Sequence, residues 1–153
     1  MQRLFVMTYQ SSGIRFNYPD DWILTEQWQD DDLTVTVSDG ETAQWSITLL
    51  TGLPDPAEVL SEAVRAFEEE YTDLDLAESR VVLADYEAVA ADVDFECFEL
   101  LNSAFVRAFQ TSQFTALVLY QATDHELKAL QPQFDSINAS LVCDPGMTGP
   151  GLN

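Results

Sequence analysis

Few side chains in this sequence could do chemistry, and their spacing does not assemble a catalytic set. His125 is the only histidine, and a lone histidine beside a helix start, on a polar face, reads as solvated. No Gly-x-Ser-x-Gly elbow presents a nucleophile, and the six glycines are scattered rather than gathered into a phosphate loop. Cys97 and Cys143 are the two cysteines. Two cannot define a disulfide framework or a zinc site, and free thiols are expected. Carboxylates remain. Asp92, Asp94 and Glu96 alternate along one strand face, where a divalent cation could relieve their repulsion. The plainer reading is a solvated face with Arg107 nearby. Asp30-Asp31-Asp32 lacks the alternating ligands and central glycine of a calcium loop, and Glu68-Glu69-Glu70 reads as a solvated helix face. No catalytic residue, cofactor or metal site is assigned.

Recognition is the better-supported chemistry. Trp28, Trp45, Phe105, Phe109 and Tyr120 fall at strand spacing and could line an apolar groove, although core packing uses the same spacing. Arg107 is the odd member, because it shares a face with Phe105, Phe109 and Phe114. A charge on an apolar face needs a partner, either Asp92 or a ligand. Trp28, Trp45, Phe105, Arg107, Phe109 and Tyr120 are therefore the candidate partner-binding residues.

The bulk properties narrow the classes. The 153 residues suffice for one domain with a core, and 46% hydrophobic with 22% charged residues is a globular profile. Acidic residues outnumber basic ones 27 to 6, for a net charge of −21. Such a surface repels nucleic acid and anionic membranes and suits a salt-rich medium; a basic protein partner is the functional alternative. No run approaches the ~18 apolar residues of a membrane helix. Leu4–Met7 is too short for the apolar part of a signal peptide, which points to the cytoplasm.

The elements that must position these residues follow from periodicity. "IRFNY" (14–18) puts Ile14, Phe16 and Tyr18 on one strand face. Pro19-Asp20-Asp21 turns the chain, and extended structure resumes over 22–28. "LTVTVS" (33–38) and "AQWSITL" (43–49) each carry one apolar face. An Asp39-Gly40 two-residue turn would set those faces on opposite sides of the sheet. A three-residue loop, 39–41, that pairs Val37 with Ala43 and Val35 with Trp45 is expected instead. Asp55 and Pro56 start a helix over 55–71, with Glu58 completing a capping-box-like pattern and a stripe of Leu60, Val64, Phe67 and Tyr71. Four strands follow, at about 76–83, 86–97, 101–110 and 113–122. A Glu99-Leu100 turn would place Asp92 opposite Arg107, and a Thr111-Ser112 turn would place Phe105 opposite Val118. Because the last strands are apolar on both faces, both faces should be covered, at least in part. Asp124 caps a final helical stretch that Pro132 should break or restart, with Phe134, Ile137 and Leu141 inward. Residues 1–12 read as an N-terminal segment, 13–142 as a single domain and 143–153 as a flexible tail.

The order of these elements, with Phe16, Tyr18, Pro19 and Trp22 near the start and Phe134, Ile137, Ser140 and Leu141 at the end, resembles the PsbP/Mog-type (DcrB-like) superfamily. The resemblance spans residues 13–142. It implies an α+β fold, an αβα sandwich around a central antiparallel sheet, with no shared ligand set and no enzyme activity. Its branches include a photosystem II subunit, a Ran-binding protein and adaptor chaperones of secretion effectors. The absent leader argues against the first, no Ran-binding site is recognisable, and the opening fits the third poorly. A bacterial member of the superfamily is expected. The function expected is a non-catalytic binding or adaptor module that holds a protein segment, as an effector chaperone would. The alternative is a small-molecule or divalent-cation-binding protein that uses acids such as Asp92 and Asp94.

Overall fold

Period-two alternation sets most of the architecture. The computed structural model describes residues 6–143. Its elements run β1 (Val6–Ser11), β2 (Ile14–Pro19), β3 (Ile23–Gln29), β4 (Asp32–Ser38), β5 (Gln44–Leu50), α1 (Pro56–Glu70), β6 (Asp75–Leu83), β7 (Tyr86–Cys97), β8 (Leu100–Gln110), β9 (Thr115–Thr123), α2 (Asp124–Ser140) and β10 (Val142–Cys143). A seven-stranded antiparallel sheet has the order β3-β4-β5-β9-β8-β7-β6, and a three-stranded sheet has the order β1-β2-β10. One face of the large sheet buries Val35, Val37, Trp45, Ile47, Phe109, Val118 and Tyr120 beneath α2 and β2. The other buries Ala91, Val106 and Ala108 beneath Val59, Leu60 and Val64 of α1. This is the expected α+β sandwich, with both faces of β8 and β9 covered in part.

The opening stretch belongs to the core. Ile14 and Phe16 are fully buried and Trp22 nearly so. The Phe16 ring lies 4.8 Å from that of Trp45, and Trp22 meets Phe134 edge-on at 6.0 Å. The Tyr9 hydroxyl donates to Glu26 at 2.6 Å, tying β1 to β3. Burial, then that bond, pushes the Tyr9 pKa up to about 12. The sheets reach past the bounds expected for the domain. Val6–Ser11 pairs along the whole of β2, and Val142 and Cys143 pair with Arg15 and Ile14. Residues 1–5 and the expected tail beyond Cys143 lie outside the described residues.

Three expected registers are corrected, each by two residues. β4 pairs with β5 through Val37↔Trp45 and Val35↔Ile47, so the loop holds five residues, 39–43, and Asp39 N–H donates to the Ala43 carbonyl at 3.2 Å. The β7–β8 turn is Phe98-Glu99 rather than Glu99-Leu100, which places Asp92 opposite Phe105 and Arg107 opposite Ala90. The β8–β9 link is the four residues Thr111–Phe114, closed by Thr111 N–H to the Phe114 carbonyl at 2.8 Å, and Phe105 faces Tyr120. In every case the apolar faces still coincide, because a shift of two preserves the side of the sheet.

Both helices start as their caps require. Asp55 accepts from Ala57 N–H at 3.1 Å and Pro56 takes the first helical position. For α2 the cap is Thr123 rather than Asp124, in a full capping box with Glu126. Pro132 does not break α2, which runs unbroken from Asp124 to Ser140. The expectation fails because packing of Phe134 and Ile137 outweighs one missing backbone donor.

Candidate functional site

The six candidate residues separate into a core set, a cluster and an outlier. Trp45 and Phe109 are fully buried and present no surface; Trp45 Nε1 donates to Asn138 Oδ1 at 2.9 Å. Trp28 is 59% exposed on edge strand β3, four strands away from β8. The remaining three come together. Phe105 stacks on Tyr120 at 4.9 Å and 19°, and the Arg107 guanidinium carbon lies 5.8 Å and 5.9 Å from the two ring centroids.

The β7–β8 register explains how Arg107 is answered. Its Nη1 donates to Asp92 Oδ1 at 2.7 Å and to its neighbour's carbonyl, Val106 O, at 3.1 Å. The pairing is diagonal across the strands, two positions from the directly opposite residue, and still within reach of long side chains. The Arg107 side chain is 12% exposed and that of Asp92 is 47% exposed. The guanidinium is thus enclosed by two rings and one carboxylate, a setting that favours a planar, weakly hydrated cation. Burial raises the Tyr120 pKa, with the Arg107 charge and an Asn138 hydrogen bond opposing.

Beyond this cluster the same face of β7 and β8 lies open. The directly opposite pairs are Asp92↔Phe105, Asp94↔Ser103 and Glu96↔Leu101. A row of acids therefore runs beside a row of largely apolar side chains. Ser103 Oγ donates to Asp94 at 2.6 Å, while Asp94, Glu96 and Leu101 are exposed. On β6, Asp75 stands directly opposite Asp94. The row ends at the hairpin tip, where Phe98 is 93% exposed and both Phe98 and Glu99 have positive φ, 52° and 63°. Sequence reasoning missed Phe98, because the turn was expected one residue later.

The expected cation ligands do not converge. Asp92 is held by Arg107 and Asp94 by Ser103. The carboxylates that do converge among the described residues are Asp39, Glu41 and Glu126, within 4.8 Å of one another. Glu126 Oε1 is already engaged: it accepts from Thr42, and from Thr123 Oγ1 at 2.9 Å and Thr123 N–H at 3.2 Å. Burial raises the Glu126 pKa, but these bonds outweigh it and hold the carboxyl below its ordinary value. His125 is exposed on α2 beside Asp124 and Lys128. Both cysteines are free; Cys97 is half-buried and Cys143 buried.

No family model and no curated protein matches this sequence. Solved structures do match. CyanoP, the PsbP of Synechocystis sp. PCC 6803, has a TM-score of 0.67 at 10% identity, over 93% of this chain and 94% of that one. LpqN of Mycobacterium tuberculosis, involved in cell envelope biogenesis, has a TM-score of 0.54 at 17% identity, over 94% and 93%. A Bacteroides thetaiotaomicron protein has a TM-score of 0.58 at 13% identity, over 89% of this chain but 47% of that one, so this chain spans about half its length. At these identities the likeness is one of fold.

Proposed function

We propose that this chain, which has the PsbP-like fold, is a non-catalytic binding module that holds a protein segment against the open strip of β7 and β8. The observation that supports this reading is the strip itself. α2 and β2 cover the middle of that apolar face, yet Leu101, Asp94 and Glu96 remain in water, and Phe105 is only partly covered. A segment laid along β8 would bury these side chains at little conformational expense, since the strands are already paired on both sides.

A photo-activatable cross-linker at Ser103 tests the reading. Cross-links to one reproducible protein segment, at low and high salt, are expected; a control linker at Gln27 on β3 should yield none. Equal labelling at both positions would sink the reading. A secretion-effector chaperone is a narrower form of it, and a neighbouring effector gene would favour that form. Calorimetry with calcium and magnesium tests the cation alternative; absence of heat removes it.

A further inference from the structure

We infer that the segment held on this strip is basic and apolar together: its apolar side chains cover Phe98, Leu101 and Phe105, and its Lys or Arg side chains meet Asp94, Glu96 and Glu99. The inference rests on the binding reading above and specifies the chemistry of the occupant.

The first ground is the exposed apolar tip. Phe98 is 93% exposed and Leu101 49%, both at the tip end of the strip; Leu100 and Leu76, each 41% exposed, lie at the same end of the sheet on its other face. The turn backbone does not call for a phenylalanine. With both central residues at positive φ, Asn-Gly would fit better, and a bulky residue there is an outlier. Phe98 therefore gives the fold little packing and a less favourable turn.

The second ground is charge. Asp94 and Asp75 stand directly opposite each other, and Glu96 and Glu99 lie toward the tip. Like charges directly across a ladder are destabilising. Arg107 answers only Asp92 among the ion pairs of the described residues. A basic side chain arriving with a partner would meet three or four unneutralised carboxylates beside an apolar row. A second copy of a chain with net charge −21 would be repelled. An anionic membrane would be repelled for the same reason, and a neutral one would gain nothing from the acids.

Selection of a random peptide library on the full-length chain tests the inference. Enriched peptides should interleave Lys or Arg with Leu, Ile, Val or aromatic residues. Their affinity should fall at least about tenfold for Phe98→Asn combined with Leu101→Thr, without loss of melting temperature. Glu96→Gln with Glu99→Gln should weaken them and flatten their salt dependence. The same charge change at Glu68 and Glu69, on α1, should leave them unchanged. Peptides that bind without basic bias, or that ignore the tip variants, would overturn the inference and leave the binding reading standing. No enrichment from the library would count against the binding reading itself. Phe98-dependent sedimentation with phosphatidylcholine or phosphatidylglycerol vesicles would assign the tip to a membrane. Phe98-dependent self-association in the ultracentrifuge would assign it to a second copy. Either result overturns the inference.

Discussion

At the scale of single residues, the β7–β8 tip and the two thiols make separable predictions. Phe98 and Glu99 occupy left-handed backbone that Gly adopts without a Cβ penalty and Asn tolerates through local hydrogen bonds of its short polar side chain. Phe98→Asn with Glu99→Gly should raise unfolding stability by about 1 kcal/mol, read from the urea midpoint at unchanged slope. The turn at Ala84-Asp85 has the same sign of φ, at 54° and 69°, and calibrates the effect. If Ala84→Asn with Asp85→Gly stabilises and the Phe98 change destabilises, the phenyl ring has a structural role that its exposure does not suggest. The thiols differ by environment. Burial pushes the Cys143 pKa up to about 12, so thiolate is scarce there at neutral pH. A disulfide reagent should modify Cys97 promptly and Cys143 only as fast as β10 opens. Because the folded pKa is the higher one, any stability Cys143 contributes is complete below about 9 and is lost as pH rises toward 12. Equal reactivity of the two thiols would show that β10 is not held against β2 in solution.

At the scale of elements, α2 carries two testable features, and the hairpins show what the sequence could and could not specify. Glu126 closes the Thr123 capping box and also accepts from Thr42 in the β4–β5 loop. Its folded pKa lies below the ordinary 4.5, so its stabilisation is present above that value and is lost as pH falls below it. Glu126→Gln keeps the capping geometry and should flatten the fall in melting temperature between neutral pH and the acid limb; an unchanged acid limb would refute this. Pro132 lies inside α2 without a backbone donor. Pro132→Ala should therefore stabilise by about 1–3 kcal/mol in urea titrations. The faces of β4, β5, β7, β8 and β9 were legible because alternation assigns each side chain to a side. Registers were not, since even shifts leave that assignment intact, and all three errors were shifts of two. Loop length decides among them, and it depends on bonds such as Thr111 Oγ1 accepting from Gln113 and Phe114 N–H, which composition does not announce. The Arg107–Asp92 pair was legible for the right faces and the wrong rung: a diagonal contact replaced an opposite one. Trp45 and Phe109 were ambiguous between groove and core because their burial depends on where α2 and β2 land on that face of the sheet. β1 and β10 gave no sequence signal, for their pairing partner is β2 rather than a neighbour with its own alternation.

At the scale of the whole molecule, charge is the dominant unrelieved term. The sequence carries 27 acids against six basic residues, and one of those six, Arg107, is committed to Asp92. At ~0.01 M salt the Debye length is about 30 Å, comparable to the diameter of a domain this size, so acids on opposite sides still repel. At ~0.1 M it is about 10 Å and that long-range part is screened. Acids on neighbouring strands, such as Asp75 and Asp94, are separated by roughly the ~5 Å strand spacing and are relieved only near ~1 M. The melting temperature should therefore rise in two stages with sodium chloride, by several degrees in all, with each kcal/mol equivalent to about 2–4 °C at this chain length. Chloride is the right anion, because sulfate strengthens apolar burial whatever the charge. Asp75→Asn should shrink the second stage while leaving most of the first, since one charge among 27 alters the long-range sum little but removes half of a directly opposed pair. A melting temperature that does not respond to chloride would mean that bound cations or a basic partner already neutralise the surface, and the purified chain should then be assayed for both.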